Sequence, residues 1–113
     1  MLHVKKDEAE LTPISHDPNL KKRLYKRDWT SCVGNISHIV LRPGDTAKNH
    51  VHKDGYEIFY VIRGEAVFTV QGNPVTASAG DCLIIEPGDW HAISKIVKET
   101  ALFYFFAKSI DQQ

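Results

Sequence analysis

Four side chains carry the chemistry this sequence can offer. His50 and His52 stand two residues apart, Glu57 follows five later, and His91 lies 39 residues beyond His52. In an extended strand, residues two apart project from the same face, so the two imidazoles would stand side by side. Lys53-Asp54-Gly55-Tyr56 can turn the chain, with Gly55 free to take a positive φ. The strand that opens with Glu57 could then face the same space. His91 follows Pro87-Gly88, a tight turn feeding another strand. Three imidazoles and one carboxylate converging suit a divalent transition metal such as Fe, Mn, Ni or Zn. A metal that takes five or six ligands keeps one or two positions open, which catalysis or ligand binding requires. The bland alternative is a set of interior polar groups satisfied by hydrogen bonds. With 6 His in 113 residues, coincidence of this pattern over all registers is roughly one in a thousand.

The elements that must position these residues read as β throughout. From Cys32 onward, short segments rich in Val, Ile, Phe and Tyr alternate with Gly, Pro, Asn and Asp. Strands are expected at Ile36–Leu41, Glu57–Arg63, Ala66–Gln71, Val75–Ala77, Cys82–Glu86, Ala92–Val97 and Leu102–Ala107, with a short one around His50. Gly64-Glu65 reads as a tight turn, as do Arg42-Pro43-Gly44-Asp45 and Gln71-Gly72-Asn73-Pro74. No stretch after Cys32 holds a helical period, so no crossover helix exists for a parallel sheet. Close spacing of short strands predicts an all-β antiparallel sandwich or barrel. Residues 1–22 are polar and broken by Pro13 and Pro18, and read as an N-terminal arm or edge strand; residues 23–113 read as the single barrel domain.

The residues match a family. Gly44, His50, His52, Glu57 and Gly64 stand at every defining position of the first cupin motif. Gly80, Gly88 and His91 stand at the intervals of the second, with Glu86 where that motif has Pro and Lys95 where it has Asn. The gap between the motifs, residues 65–79, resembles the short end of the cupin range. The chain thus resembles a small single-domain cupin. That resemblance implies a double-stranded β-helix, or jelly-roll, barrel in which His50, His52, Glu57 and His91 correspond to the metal ligands.

Around that site, alternation from an inward Glu57 directs Phe59 and Val61 inward and Tyr60 and Ile62 outward. His38, Phe59, Val61, Phe68 and Trp90 are the candidate pocket wall, with Tyr56, Tyr104 and Phe106 also aromatic candidates. Trp90 could border the cavity mouth or lie on the barrel surface. His38 shares a face with Ile36 and Val40, and its inward or outward sense is open. Cys82 is expected to pack as a small buried hydrophobe. Lys48, Arg63, Glu86 and Lys95 are the charged groups whose position could bring them to a substrate, although loop exposure is the default for each. Five of the seven residues in Lys21–Arg27 are basic, which reads as a solvated face or a polyanion site. Leu102–Ala107 is apolar on both faces, so something should cover the outer one. A homodimer is expected, in keeping with the resemblance.

Charge and composition exclude other classes. The 14 Lys+Arg balance 14 Asp+Glu, which argues against a nucleic-acid binder. No apolar run approaches the ~18 residues of a membrane span. The first residues are charged where a signal peptide would be apolar. Cys32 and Cys82 are too few for a disulfide scaffold. The expectation is one cytoplasmic domain whose partner is a small molecule, without nucleic acid or membrane. Function is expected to be that of a metal-dependent enzyme of dioxygenase, isomerase or lyase type, in which the metal does the chemistry. The alternative is a non-catalytic binding or sensing module; metal storage ranks last, since one site per chain stores little.

Overall fold

The computed structural model describes residues 1–14, 17–26 and 32–109. Residues 15 and 16 of the expected arm and Arg27 of the basic run lie outside the described residues. After a single 3-10 turn at Lys6–Glu8 come eight strands: β1 (Glu10–Ile14), β2 (Asp17–Lys26), β3 (Val33–Leu41), β4 (Ala47–His50), β5 (Gly55–Val70), β6 (Asn73–Ser78), β7 (Cys82–Ile85) and β8 (His91–Lys108). All pairings are antiparallel, in the order β1-β2-β3-β8-β5-β6, with β4 added on β8 and β7 on β5.

Two long strands make the barrel. The first part of β5 pairs with β7 and the later part of β8, which also carries β3. The remainder of β5 pairs with β6 and with the beginning of β8, which carries β4. Each long strand therefore serves both layers of the sandwich and bends between them. The register shifts at Val61/Arg63 and Arg63/Glu65 mark that bend, as bulges do at sheet corners.

Here the structure corrects the expected turn at Gly64-Glu65. The chain continues as strand through the bend, joining the segments read as Glu57–Arg63 and Ala66–Gln71. Gly64 sits at φ +96°, and a Cβ there would meet the Glu99 carbonyl and Thr100. Thr100 Oγ1 accepts the Glu65 N–H at 3.0 Å, holding the bulge in place of a reversal. Ala92–Val97 and Leu102–Ala107 are likewise one strand, β8.

The expected arm enters the sheet: β1 is its edge, and β2 crosses residue 22 without a break. Pro13 is tolerated on an edge strand, where no neighbour needs its missing N–H. Between the layers, Leu41, Val61, Ala66, Phe68, Ile96 and Leu102 are almost wholly buried. Ile14 and Leu20 of the first two strands pack against that core.

Candidate metal centre

The four chemistry-bearing residues come from three strands and one loop, and they meet between the layers. His50 ends β4 and is the direct ladder partner of His91, the first residue of β8. Glu57, near the start of β5, pairs with Phe106 and Ile85 in the opposite layer. His52 lies just beyond β4, and its carbonyl accepts the Gly88 N–H at 2.8 Å, tying the Pro87-Gly88 turn to the loop. Gly55 does not use its freedom to take a positive φ. It is glycine because a Cβ would strike the Ala107 carbonyl and the Phe106 ring, and that ring flanks His52 at 5.1 Å.

All four offer ligand atoms within 4.8 Å of one another. The three Nε2 atoms surround one carboxylate oxygen: Glu57 Oε1 is 3.0 Å from His91, 3.5 Å from His52 and 3.9 Å from His50. His50 Nδ1 donates to the Lys48 carbonyl at 2.8 Å, and His91 Nδ1 to the Asp89 carbonyl at 2.9 Å. Those backbone acceptors hold Nδ1 as the donor on both rings, so the inward-facing Nε2 is the atom each offers to a metal. The donor set therefore fits a divalent transition metal.

The electrostatics agree. Burial pushes the Glu57 carboxyl up, but hydrogen bonds from His52 and His91, with their charges, outweigh it and bring the pKa down to about 2. The bond to Glu57 raises His52 above its ordinary value, opposed by partial burial and aided by the charges of Glu57 and Asp54. Without a metal, hydrogen bonds from His52 and His91 to the negative charge of Glu57 hold the site together.

The cluster forms one end of a cavity of about 130 Å³ with largely apolar walls, among them Ile39, Leu41, Phe59, Ile93 and Leu102. Of the five wall candidates, Phe59 lines it. Val61 and Phe68 are wholly buried in the core behind it, with the Phe68 ring 5.2 Å from that of Phe59. Trp90 is 47% exposed on the surface. Ser37, Ile39 and Leu41 take the inward face of β3, so His38 turns outward to a separate depression. Lys48, Arg63, Glu86 and Lys95 are exposed and outside the cavity, and Arg63 is engaged with Glu99 at 2.9 Å. Cys82 is exposed because it pairs with Tyr60 on the outer face of the β5–β7 ladder.

The cavity's own cation was missed in the sequence. Lys22 lines it, with Nζ 5.7 Å from the centre of the Tyr104 ring, within cation–π range. Leu20 and Leu24 bracket Lys22 at a spacing of two, and Leu24 is buried. That alternation was the available signal. Tyr104 lies stacked on Phe59, and burial raises its hydroxyl well above the ordinary tyrosine range, with the Glu57 charge adding to this.

The cupin-domain family profile matches residues 37–106, more than half the chain. The chain belongs to the cupin family. Its sequence is 38% identical over 58 residues to an oxalate-binding protein of Thermotoga maritima, covering 51% of this chain and 48% of that one. It is 38% identical over 53 residues to an uncharacterized HTH-type transcriptional regulator of Escherichia coli, covering 47% of this chain and 18% of the regulator. The chain thus spans less than half the length of these curated relatives. Among solved structures, a predicted oxalate decarboxylase of Thermotoga maritima superposes with a TM-score of 0.81 at 21% identity, covering 96% of this cupin and 100% of that chain. That likeness shows the fold, an all-β jelly roll. No helix among the described residues is long and apolar enough to cross a membrane.

Proposed function

We propose that this cupin is a metal-dependent enzyme acting on a small carboxylic acid held between the His50, His52, Glu57, His91 cluster and Lys22. The convergence of three imidazole Nε2 atoms on one carboxylate oxygen carries the reading. A divalent metal bound there supplies Lewis acidity or redox chemistry of the kind dioxygenases, isomerases and lyases use. The chain's own residues orient the acid and keep water out. Lys22 faces an anionic group, Phe59 and Tyr104 cover the ligand's plane, and Ile39, Ile93 and Leu102 leave few sites for solvent. A cavity of about 130 Å³ limits the ligand to a few non-hydrogen atoms beside the metal. Oxalate is the first acid to test, given the relative that carries its name.

A second reading, binding without turnover, is favoured by one observation. Outside the cluster, no carboxylate or imidazole among the described residues lines the cavity to move a proton. One experiment separates the two. Protein purified without chelator is analysed for metal beside the His50→Ala/His52→Ala variant, then titrated with oxalate while substrate loss is followed. About one metal per chain, absent from the variant, with oxalate consumed, supports the enzyme. Saturable binding without consumption supports the binding module. Absence of metal above the variant's level, even after reconstitution, overturns the enzyme and leaves a metal-free binding barrel.

We further propose a homodimer through the outer face of β5, β7 and β8. Ladder neighbours Ile84, Ile58 and Phe105 form one row there, and Cys82, Tyr60 and Phe103 the next. Ile84 is 61% exposed, Ile62 46% and Tyr60 44%. An uncharged apolar face is complementary to itself, as a two-fold interface demands. Light scattering at micromolar concentration should read twice the 12.8 kDa chain mass, and Ile84→Lys should halve it. A wild-type reading at 12.8 kDa sinks the dimer.

A further inference from the structure

The basic run is divided by the strand that carries it. Along β2, Lys22 faces the cavity, while Lys21 and Arg23 face out. There they meet Lys6 from the 3-10 turn and Arg42 at the end of β3, around a depression of about 600 Å³. Leu11, Tyr25 and Val40 supply apolar and aromatic surface to it. That volume lies within the range of small-ligand sites.

The charge balance of this depression is unlike the rest of the molecule. The whole chain is neutral, yet four cations and no carboxylate line this one place among the described residues. Glu99, outside the lining, is shared by Arg42 at 3.4 Å and Arg63 at 2.9 Å. Lys6 and Lys21 have no ion pair among the described residues. Arg23 Nη1 donates to the Lys6 carbonyl at 2.9 Å, which bridges the guanidinium from β2 to the 3-10 turn. Crowding like charges without acids costs stability, and a planar guanidinium held in position is suited to oxyanions.

We propose that this outer groove is a second binding site, for a small ligand bearing two or more phosphate or carboxylate groups, with Lys6, Lys21, Arg23 and Arg42 as its counter-charges. One negative charge would leave most of the groove's cations uncompensated, so the ligand is multivalent. A nucleic acid is disfavoured because, apart from these four cations, the chain's remaining 10 Lys+Arg stand against 14 Asp+Glu, an excess of negative charge that opposes a long polyanion. This site is separate from the metal cavity, and it holds or fails independently of the proposed enzyme.

His38 reports on it. It is the ladder partner of Arg23, and burial, then the charges of Arg63, Arg23 and Lys6, hold its imidazole below the ordinary histidine value. Glu99 on β8 is already paired with Arg42 and Arg63, and Asp7, Glu8 and Glu10 adjoin the lining residues Lys6 and Leu11 along the chain. An anion in the groove must offset those cations and raise the His38 pKa, and by reciprocity it binds more tightly as pH falls.

The test is NMR of the His38 ring in the full chain, assigned with His38→Gln, during titration with pyrophosphate at fixed ionic strength. The expected result is a saturable shift with half-saturation below about 1 mM and a higher His38 pKa. Lys21→Gln/Arg23→Gln should weaken it about tenfold or more. Because Arg23 also braces the 3-10 turn, the exposed pair Lys6→Gln/Lys21→Gln provides a second, gentler variant with the same direction. A His38 response no larger than that to added potassium chloride, or one unchanged in both variants, overturns the site. Binding of poly-glutamate with no response to pyrophosphate overturns the small ligand in favour of an acidic peptide.

Discussion

The two ends of the space between the barrel's layers are built from opposite materials. At one end Val61, Ala66, Phe68 and Leu102 are fully buried and wholly apolar. At the other, His91 is just as buried, at 2% exposure, yet it is held by Glu57 and a backbone carbonyl. Phe59 divides them, its ring 5.2 Å from Phe68 and 6.5 Å from His91. The apolar end is stabilised by burial alone and needs no ligand. The polar end satisfies its own groups without a metal, since no buried side-chain N or O lacks a partner among the described residues. The fold therefore need not depend on the metal, and the same four groups stay poised to bind one.

The sharpest break of this comparison comes from the apolar end. Phe68→Ala should cost about 3–5 kcal/mol, since a fully buried ring leaves a cavity that neighbouring strands cannot fill. For a domain of this size that lowers the melting temperature by roughly 15 °C or more. Metal per folded chain should stay unchanged. Loss of metal alongside the fold would mean that the two ends are not separable.

Next in size is Glu57→Gln. It removes the carboxylate around which all three imidazoles gather and should weaken metal binding by about 100-fold or more, given that even outer-shell changes cost 10- to 100-fold. Circular dichroism of the metal-free variant should match the metal-free parent. If the variant unfolds outright, the cluster is structural, and the proposed enzyme falls with it. A smaller effect belongs to Lys22→Met, which keeps the side chain's length but not its charge. Oxalate affinity of the loaded protein should drop about tenfold, with metal content intact; an unchanged affinity would remove Lys22 from ligand recognition.

What could be seen in the sequence follows the same division. The ligand set and the jelly roll were legible because strand alternation and motif spacing are local properties that tertiary packing cannot move. The turn expected at Gly64-Glu65 misled because positive φ serves a bulge as readily as a reversal, and only the Glu99 and Thr100 backbone close by decides between them. The reason for Gly55 was out of view of the local sequence: it is the nearness of Ala107 and Phe106, which are about fifty residues away in sequence. Lys22 was passed over because a basic run suggests solvent, although its leucine neighbours already assigned it a buried face. His38 could have gone either way, since β3 is flanked by apolar residues on both of its faces.

The smallest effect is a change of shape rather than size, and it separates the ends by pH. Glu57 is held down from 4.5 to about 2 in the metal-free protein. The unfolded chain takes up that proton first as pH falls, so this contribution to stability is present above about 4.5 and is lost towards 2. His52 is shifted the other way, above 6.5. Its contribution is complete below 6.5 and disappears as pH rises through the raised value. Metal-free protein should therefore be most stabilised by its polar end between about 4.5 and 6.5. Metal reverses the alkaline limb, because it binds deprotonated imidazoles and is expelled as protons return. Thermal melts across pH, with and without metal, test this: Glu57→Gln should flatten the acid limb, whereas Phe68→Ala should lower the whole curve and keep its form. An acid limb that survives Glu57→Gln would assign the pH dependence to other groups and dissolve the contrast between the two ends.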